Sequence, residues 1–540
     1  MSIYLSPVAF SLSTRPRIFI MLAIIVVICY IAVKPITGNE MEAIRIINLK
    51  SIVDSGTIRI RPLTILVGEN SSGKSSIIRS FPLLKQSAES KTLGTVLWSG
   101  KYVDYGSFNE SVNTAHDNSN WPNEVSFAFQ LKVARDGGRS RSLMEGTDIH
   151  VNVRVSGDEY AKSSYTLLGF KIYDNEIMMK CSSDQRIISL HINGVDFTRQ
   201  THEFYRTFKT YSLIPYVFSG GKIASGTEAI RANLMRELKE LMHGRTSDLK
   251  ISKVARSLRF TDDDQLRRTL TNKAIMGDVA VRKTMAWLND HPSFEQIKNE
   301  IIFCDLEGVL DQVGDMIRAY LMNVRYVTPL RAAADRYYRI QNTSIDELDP
   351  NGSNLAMFLH AKRKEEIERL NEWLLEEVGF SLQIVPQHGH ASIHICEKSG
   401  ERSNIADTGF GYSQILPILV QIWQLTARNH RHLGYRTPIT IVVEQPELHL
   451  HPKMQSRVGD ALCKAIEIAG RNGVDIRIVI ETHSRELIHA VGRCVEGKVL
   501  NKDDVAIYLV DKNKIPNVSE SKFDDGGFLQ DWPYGFFDGE

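Results

Sequence analysis

The residues Gly68-Glu69-Asn70-Ser71-Ser72-Gly73-Lys74-Ser75 fit the pattern G-x-x-x-x-G-K-[ST] at every fixed position. The chemistry of that pattern is specific. Its glycines let successive backbone N–H groups turn inward around phosphate oxygens, and a helix that starts at the lysine presents its positive N-terminus to the same anion. Lys74 is placed to reach the β- and γ-phosphates, and Ser75 to hold Mg²⁺. With Ser76 directly after, the candidate phosphate-binding stretch runs from Gly68 to Ser76. ATP and Mg²⁺ are the ligands this pattern calls for.

Three further stretches carry groups that such a site needs. In "ITIVVEQPELHLHP" an apolar run ends in Glu444, where a second carboxylate for Mg²⁺ belongs. Gln445 follows at once and Glu447 three residues after Glu444. In "IRIVIETHSRELI" another apolar run leads to His483, a residue type that contacts a γ-phosphate or orients a water from a strand end. In "GFGYSQ" Gly411, Ser413 and Gln414 stand just ahead of an apolar helix, which is an anion-binding shape. Gln86, in "LLKQS", is open to two readings: a glutamine that senses Mg²⁺ and the attacking water, or an ordinary helix-face glutamine.

These residues need strands and helices to hold them. Residues 42–50 and 57–67 read as strands, the second running into the Gly-rich turn. Residues 124–195 are rich in Val, Phe, Ile, Tyr and Thr and predict an antiparallel lobe. Residues 226–325 and 361–378 show helical spacing, and short strands are expected at Ser381–Val385, Ala391–Cys396, Pro438–Val443 and Ile476–Ile480. Apolar strands alternating with helices predict an α/β fold with a mainly parallel sheet flanked by helices. The expected organisation is an apolar segment over 1–40, an N-terminal half of the head with the antiparallel lobe over 41–200, a helical insertion over 201–380, and a C-terminal half over 381–540.

The 540 residues carry a net charge of +1, with 43% hydrophobic and 24% charged residues. These are globular values, and they give no global electrostatic reason for nucleic-acid binding. The six cysteines form no C-x-x-C pair, which argues for reduced thiols rather than a zinc site. Ile18 to Val33 is an uninterrupted apolar run of 16 residues, short of the roughly 20 that a spanning helix needs. We read Met41 as the true start and expect a cytoplasmic protein; a hairpin-like or peripheral anchor is the alternative.

In this order, "INLKSI", "LTILVGENSSGKSSII", "GFGYSQ", "EQPELHLHP" and "ETHS" resemble the ABC-type ATPase heads of the SMC, RecF and OLD groups. With the tail "DGGFLQDWPYGFFD", the chain is most similar among these to the PtuA-like ATPases of Septu anti-phage systems, some of them retron-associated. The resemblance implies an ABC-ATPase head with ATP sandwiched in a homodimer, between the Gly68–Ser76 loop of one head and the Ser413 loop of the other. It implies a defence role in which a separate H-N-H nuclease, and in some systems a reverse transcriptase with its nucleic acid, is the partner. A repair ATPase that binds DNA directly and a non-hydrolysing scaffold are the alternatives. One departure matters: where these heads carry a second acid after Glu444, this chain has Gln445. An amide positions a water but accepts no proton, so slow hydrolysis is expected, with Glu447 as a substitute acid.

Overall fold

The computed structural model describes residues 40–532, apart from 91–93, 114–122, 134–142, 144, 158–164, 209–212, 221–228, 288–290, 341–346 and 428–436. The apolar run Ile18–Val33 and the end of the tail lie outside the described residues. Among those described, no helix is long and apolar enough to cross a membrane. The five cysteines described are all free thiols.

A seven-stranded sheet forms the centre of the α/β head. Its strand order is Val324–Val327, Ile439–Glu444, Ile476–Glu481, Leu63–Gly68, Val505–Val510, Val518–Phe523 and Leu529–Gln530. The first five are mutually parallel and the last two antiparallel. The sequence of the Leu63–Gly68 strand, LTILVG, explains its central place. All six residues are buried, as a strand covered on both faces requires. Alternate residues enter two different cores. Leu66, Val442 and Val479 face the P-loop helix Lys74–Glu89 and the 31-residue helix Pro292–Met322. Leu63, Ile65, Ile441 and Ile478 face the helices Phe410–Ala427, Pro452–Arg471 and Arg485–Glu496.

A second sheet of nine strands, antiparallel throughout, packs on the first core. It runs from Val195–Asp196 through the strands of 124–192 to Glu40–Leu49 and Ile52–Asp54, with Ile58–Arg59 paired to Glu40–Leu49. The single strand expected over 57–67 is thus divided. Ile58–Arg59 joins the antiparallel sheet, Pro62 interrupts the ladder, and Leu63–Gly68 joins the parallel one. Asn517 ties the two sheets together, its Oδ1 accepting from Val53 N and Asp54 N at 3.0 Å each. The helices of residues 232–284 and the long helix Pro292–Met322 follow the lobe in sequence. Val324–Val327 then enters the parallel sheet, beside Thr440–Val443. A hairpin of Phe380–Gln387 and His390–Glu397 precedes the Phe410–Ala427 helix.

Candidate active site

The parallel strands deliver their C-terminal ends to one edge, where the Gly68 turn lies. Gly68 has a steric reason: a Cβ there would stand 2.4 Å from the Val510 carbonyl oxygen. Ser71 (φ +61°) and Gly73 (φ +110°) turn the chain back, and a Cβ on Gly73 would lie 2.3 Å from Ile52 Cδ1. The helix then begins at Lys74 with no side-chain cap. Its first amides and the positive end of its dipole are left for an external acceptor. Glu69, Asn70 and Ser71 form the exposed rim. Lys74 is buried and donates from Nζ to the carbonyls of Gly68 (3.0 Å) and Glu69 (2.5 Å). Burial lowers its pKa, opposed by the charges of Glu481, Glu447 and Glu69. Ser76 turns the other way, its Oγ 3.1 Å from Ser51 Oγ.

Ser75 Oγ donates to Glu481 Oε1 at 2.9 Å. Sequence reasoning missed this acid. Its signal is in the sequence, since "IRIVIE" ends in a carboxylate just as "ITIVVE" does. Glu481 and Glu444 are register partners on neighbouring parallel strands. Burial first, then the Glu444 charge, pushes the Glu481 carboxyl up to about 7, against the pull of Ser75, Lys74 and Arg79.

Glu444, 1% exposed, is engaged on both oxygens. Arg79 Nε and Nη2 donate to Oε1 (2.9 Å) and Oε2 (2.8 Å), and Tyr326 Oη donates to Oε1 at 2.5 Å. That bidentate bond raises the Arg79 pKa further. Gln445 sits at φ +43°, donating its N–H to the Glu481 carbonyl at 2.9 Å. Glu447 accepts the His483 backbone N–H at 2.7 Å, and burial raises its pKa. His483 is exposed, and partial desolvation together with Lys74 lowers its imidazole pKa.

Ser413 and Gln414 are buried within their own chain, and Gln414 Nε2 donates to the Arg331 carbonyl at 3.4 Å. Gly409 and Gly411 remain nearer the surface, Gly411 close to the His449 carbonyl. Arg331, invisible as a lone loop arginine in the sequence, is 6% exposed and donates from Nη2 to the carbonyls of Glu444 (2.8 Å) and Gln445 (3.2 Å). Burial pushes its pKa down to about 10, opposed by Glu447 and Glu444.

Of the two readings of Gln86, its contacts fit the structural one. Its Oε1 accepts from Tyr102 N and Val103 N, and its Nε2 donates to the Leu97 and Val103 carbonyls. With two acceptor and two donor sites on a primary amide, its capacity is filled by backbone, so it holds the loop after the helix rather than a metal.

The remaining groups fit a nucleotide with Mg²⁺. Ser72 Oγ, Glu481 Oε2 and Arg331 Nε and Nη1 are buried without a hydrogen-bond partner among the described residues. Buried polar atoms are almost always matched, so the open hydroxyl of Ser72 in the turn and the open oxygen of Glu481, whose other oxygen meets Ser75, mark where a ligand belongs.

The family model AAA_15, "AAA ATPase domain", matches residues 40–488. The chain belongs to this ATPase family. Solved structures similar to this ATPase include an Smc head domain with an extended coiled coil, bound to the C-terminal domain of ScpA, from Pyrococcus furiosus. It is 13% identical, with 90% of this chain and 96% of that one covered and a TM-score of 0.32. The SMC head domain of Thermotoga maritima is 8% identical, with 90% and 99% covered and a TM-score of 0.32. The recombination mediator RecF is 11% identical, with 90% and 98% covered and a TM-score of 0.27. No curated protein matches the ATPase.

Proposed function

We propose that this ATPase binds and hydrolyses Mg²⁺-ATP at the Gly68–Ser76 turn and that nucleotide-held pairing of two heads controls a partner nuclease in anti-phage defence. The observation that carries the nucleotide reading is the phosphate turn itself, with its uncapped helix start at Lys74 and the unmatched Ser72 Oγ and Glu481 Oε2. Lys74 and the uncapped helix start would hold the phosphates, and Ser75 with a strand-end carboxylate would hold Mg²⁺. The metal, when bound, neutralises charge on the β- and γ-phosphates. Glu447 and His483 stand at the same strand ends, tied by the 2.7 Å bond, where an attacking water is oriented. Gln445, an amide in place of an acid, makes turnover slow. The near-surface Gly409 and Gly411 are the part of the Ser413 loop that a second head can reach.

The defence reading rests on the resemblance of the tail "DGGFLQDWPYGFFD", on a head of the SMC, RecF and OLD kind, to Septu ATPases. A partner protein on the head has a parallel in the Smc head solved with ScpA. Phage plating on cells carrying the gene and its neighbours tests it. Protection that is lost in Lys74→Ala supports the reading, and equal plaque counts with and without the genes reject it.

One feature favours direct nucleic-acid binding as a second reading. The open face of the antiparallel sheet holds a cavity of about 340 Å³ whose lining includes Arg45, His150, Arg154 and Lys171. DNA affinity that falls steeply with salt, and less steeply in Arg154→Ala, would support it.

A further inference from the structure

A second cavity lies apart from the phosphate turn and from the antiparallel lobe, on the small sheet that precedes the Phe410–Ala427 helix. We propose that it binds a nucleoside phosphate unit, supplied as a free nucleotide or as the 5′-phosphorylated end of a single strand. The proposal goes beyond the ATP reading and does not depend on it.

Alternation makes the floor of the site. In the hairpin Leu382, Ile393 and Ile395 turn to the core and are at most 2% exposed. The residues between them turn outward. Val385 stands opposite Ser392, and Asn404 of the edge strand Arg402–Asn404 stands opposite His394, with Arg402 two residues along the same face. The segment 336–339 adds a wall. Tyr338 and Arg339 pair with Ala391 and His390, the Asn404 amide donates to the Arg336 carbonyl at 3.2 Å, and the Arg336 guanidinium donates to Asp407. The enclosed volume is about 560 Å³. That suits a small organic ligand and exceeds what a single oxyanion fills.

Charge sets the sign of the ligand. Among the described lining residues Arg336 and Arg402 are permanent cations and Asp407 is the one acid, already taken by Arg336. The Arg402 guanidinium has no hydrogen bond or ion pair among the described residues. Burial and the Arg402 charge hold the His394 imidazole below its usual pKa, opposed by Asp407. The groove is short of negative charge, and guanidinium forks match phosphate oxygens. The remaining lining residues ask for more than an inorganic anion. Tyr337 is 56% exposed, an aromatic ring free to stack on a base. The Gln387 side-chain amide, also without a partner among the described residues, can pair with a base edge.

The test is equilibrium binding of uridine 5′-monophosphate to the full chain by calorimetry, beside inorganic phosphate and two tetrauridylates, one 5′-phosphorylated and one 5′-hydroxyl. A monophosphate lacks the β- and γ-phosphates that Lys74 would reach, so it is a poor ligand for the turn. Uridine monophosphate or the phosphorylated strand should bind with a Kd below about 1 mM, and about tenfold or more tighter than inorganic phosphate. Arg402→Ala should weaken that binding about tenfold or more, the order of one charge-assisted contact. Tyr337→Ala should weaken it about fivefold or more through lost stacking, and Lys74→Ala should leave it unchanged. A phosphorylated strand that binds about tenfold or more tighter than the mononucleotide assigns the source to a strand end; otherwise it is a free nucleotide. Neither phosphorylated probe binding, a 5′-hydroxyl strand that binds as tightly as the tighter of them, or binding that Lys74→Ala abolishes and Arg402→Ala keeps, overturns the proposal. Should Arg402→Ala not fold, Asp407→Asn decides. It removes the acid that competes for Arg336, so affinity should rise about threefold or more, and an unchanged affinity overturns the proposal.

Discussion

Two buried ionic clusters in this chain are built on opposite terms. In the helical region Arg231 donates from Nη2 to Asp305 Oδ1 at 2.9 Å and from Nη1 to the Ala255 carbonyl at 2.6 Å, and Asp305 Oδ2 accepts from Phe260 N at 2.9 Å. Both oxygens of that acid are engaged. At the strand ends, by contrast, Glu481 and Arg331 keep unmatched atoms although each is at least as buried. The first cluster stores stability in its own contacts. The second holds groups that only a ligand can match, so its contribution arrives on binding, as mass action on the native state. Between these two clusters the difference lies in unmet hydrogen bonding, since charge and burial are alike in both.

The comparison can be broken at four points. Asp305→Ala leaves Arg231 buried without its acid, and should cost about 3–5 kcal/mol of stability in denaturant unfolding, with or without ATP. Lys74→Ala should lower ATP turnover about 100-fold or more, equivalent to roughly 2.7 kcal/mol of barrier, with little loss of stability in the nucleotide-free protein. A comparable loss of stability from Lys74→Ala would erase the contrast. Glu481→Gln should stabilise the nucleotide-free protein at pH 8 by about 1–3 kcal/mol, because it removes an uncompensated buried carboxylate.

The pH dependence of that gain follows from the direction of the shift. The Glu481 carboxyl titrates near 4.5 in the unfolded chain and at about 7 in the fold. Between those values the native state binds more protons, so the group's contribution falls as pH rises, and is lost above about 7. Glu300 is pushed to about 7 as well, chiefly by burial. The wild-type minus Glu481→Gln difference in urea midpoint across this window isolates the site, and a flat difference would refute the assignment of the shift. The smallest effect is at Gln445. Gln445→Glu restores an acid after Glu444 and should raise turnover several-fold, about 1 kcal/mol; an unchanged rate would remove the idea that this amide limits hydrolysis.

What the sequence made legible was local. Gly68 to Ser75 is readable because a phosphate turn needs its residues within one loop and one helix start. The strands ending at Glu444 and Glu481 are readable because both are apolar runs of β-branched residues. The four-residue strand Val324–Val327 is not, since it follows a 31-residue helix directly and is defined only by its pairing with Thr440–Val443. Arg331 and the Glu481–Ser75 contact are relations across hundreds of residues, which no periodicity records. Gln86 shows the converse: its residue type suited a metal role as well as a structural one, and the loop that fills its hydrogen bonds, 11 to 17 residues on, has no pattern that would have decided between them.

The place of the Leu63–Gly68 strand has a consequence for how the chain is made. Both of its neighbours, Ile476–Glu481 and Val505–Val510, lie near the other end of the sequence, and Ser75 and Glu481 are 406 residues apart. At a synthesis rate of about 5–20 residues per second, the phosphate turn waits roughly 20–80 s on the ribosome before its partners exist. For that interval the nascent chain carries a mostly apolar strand with two open edges, a template for wrong pairing. The antiparallel lobe, complete by Asp196, can form meanwhile, so the first finished part of this enzyme is the part farthest in assembly order from its chemistry.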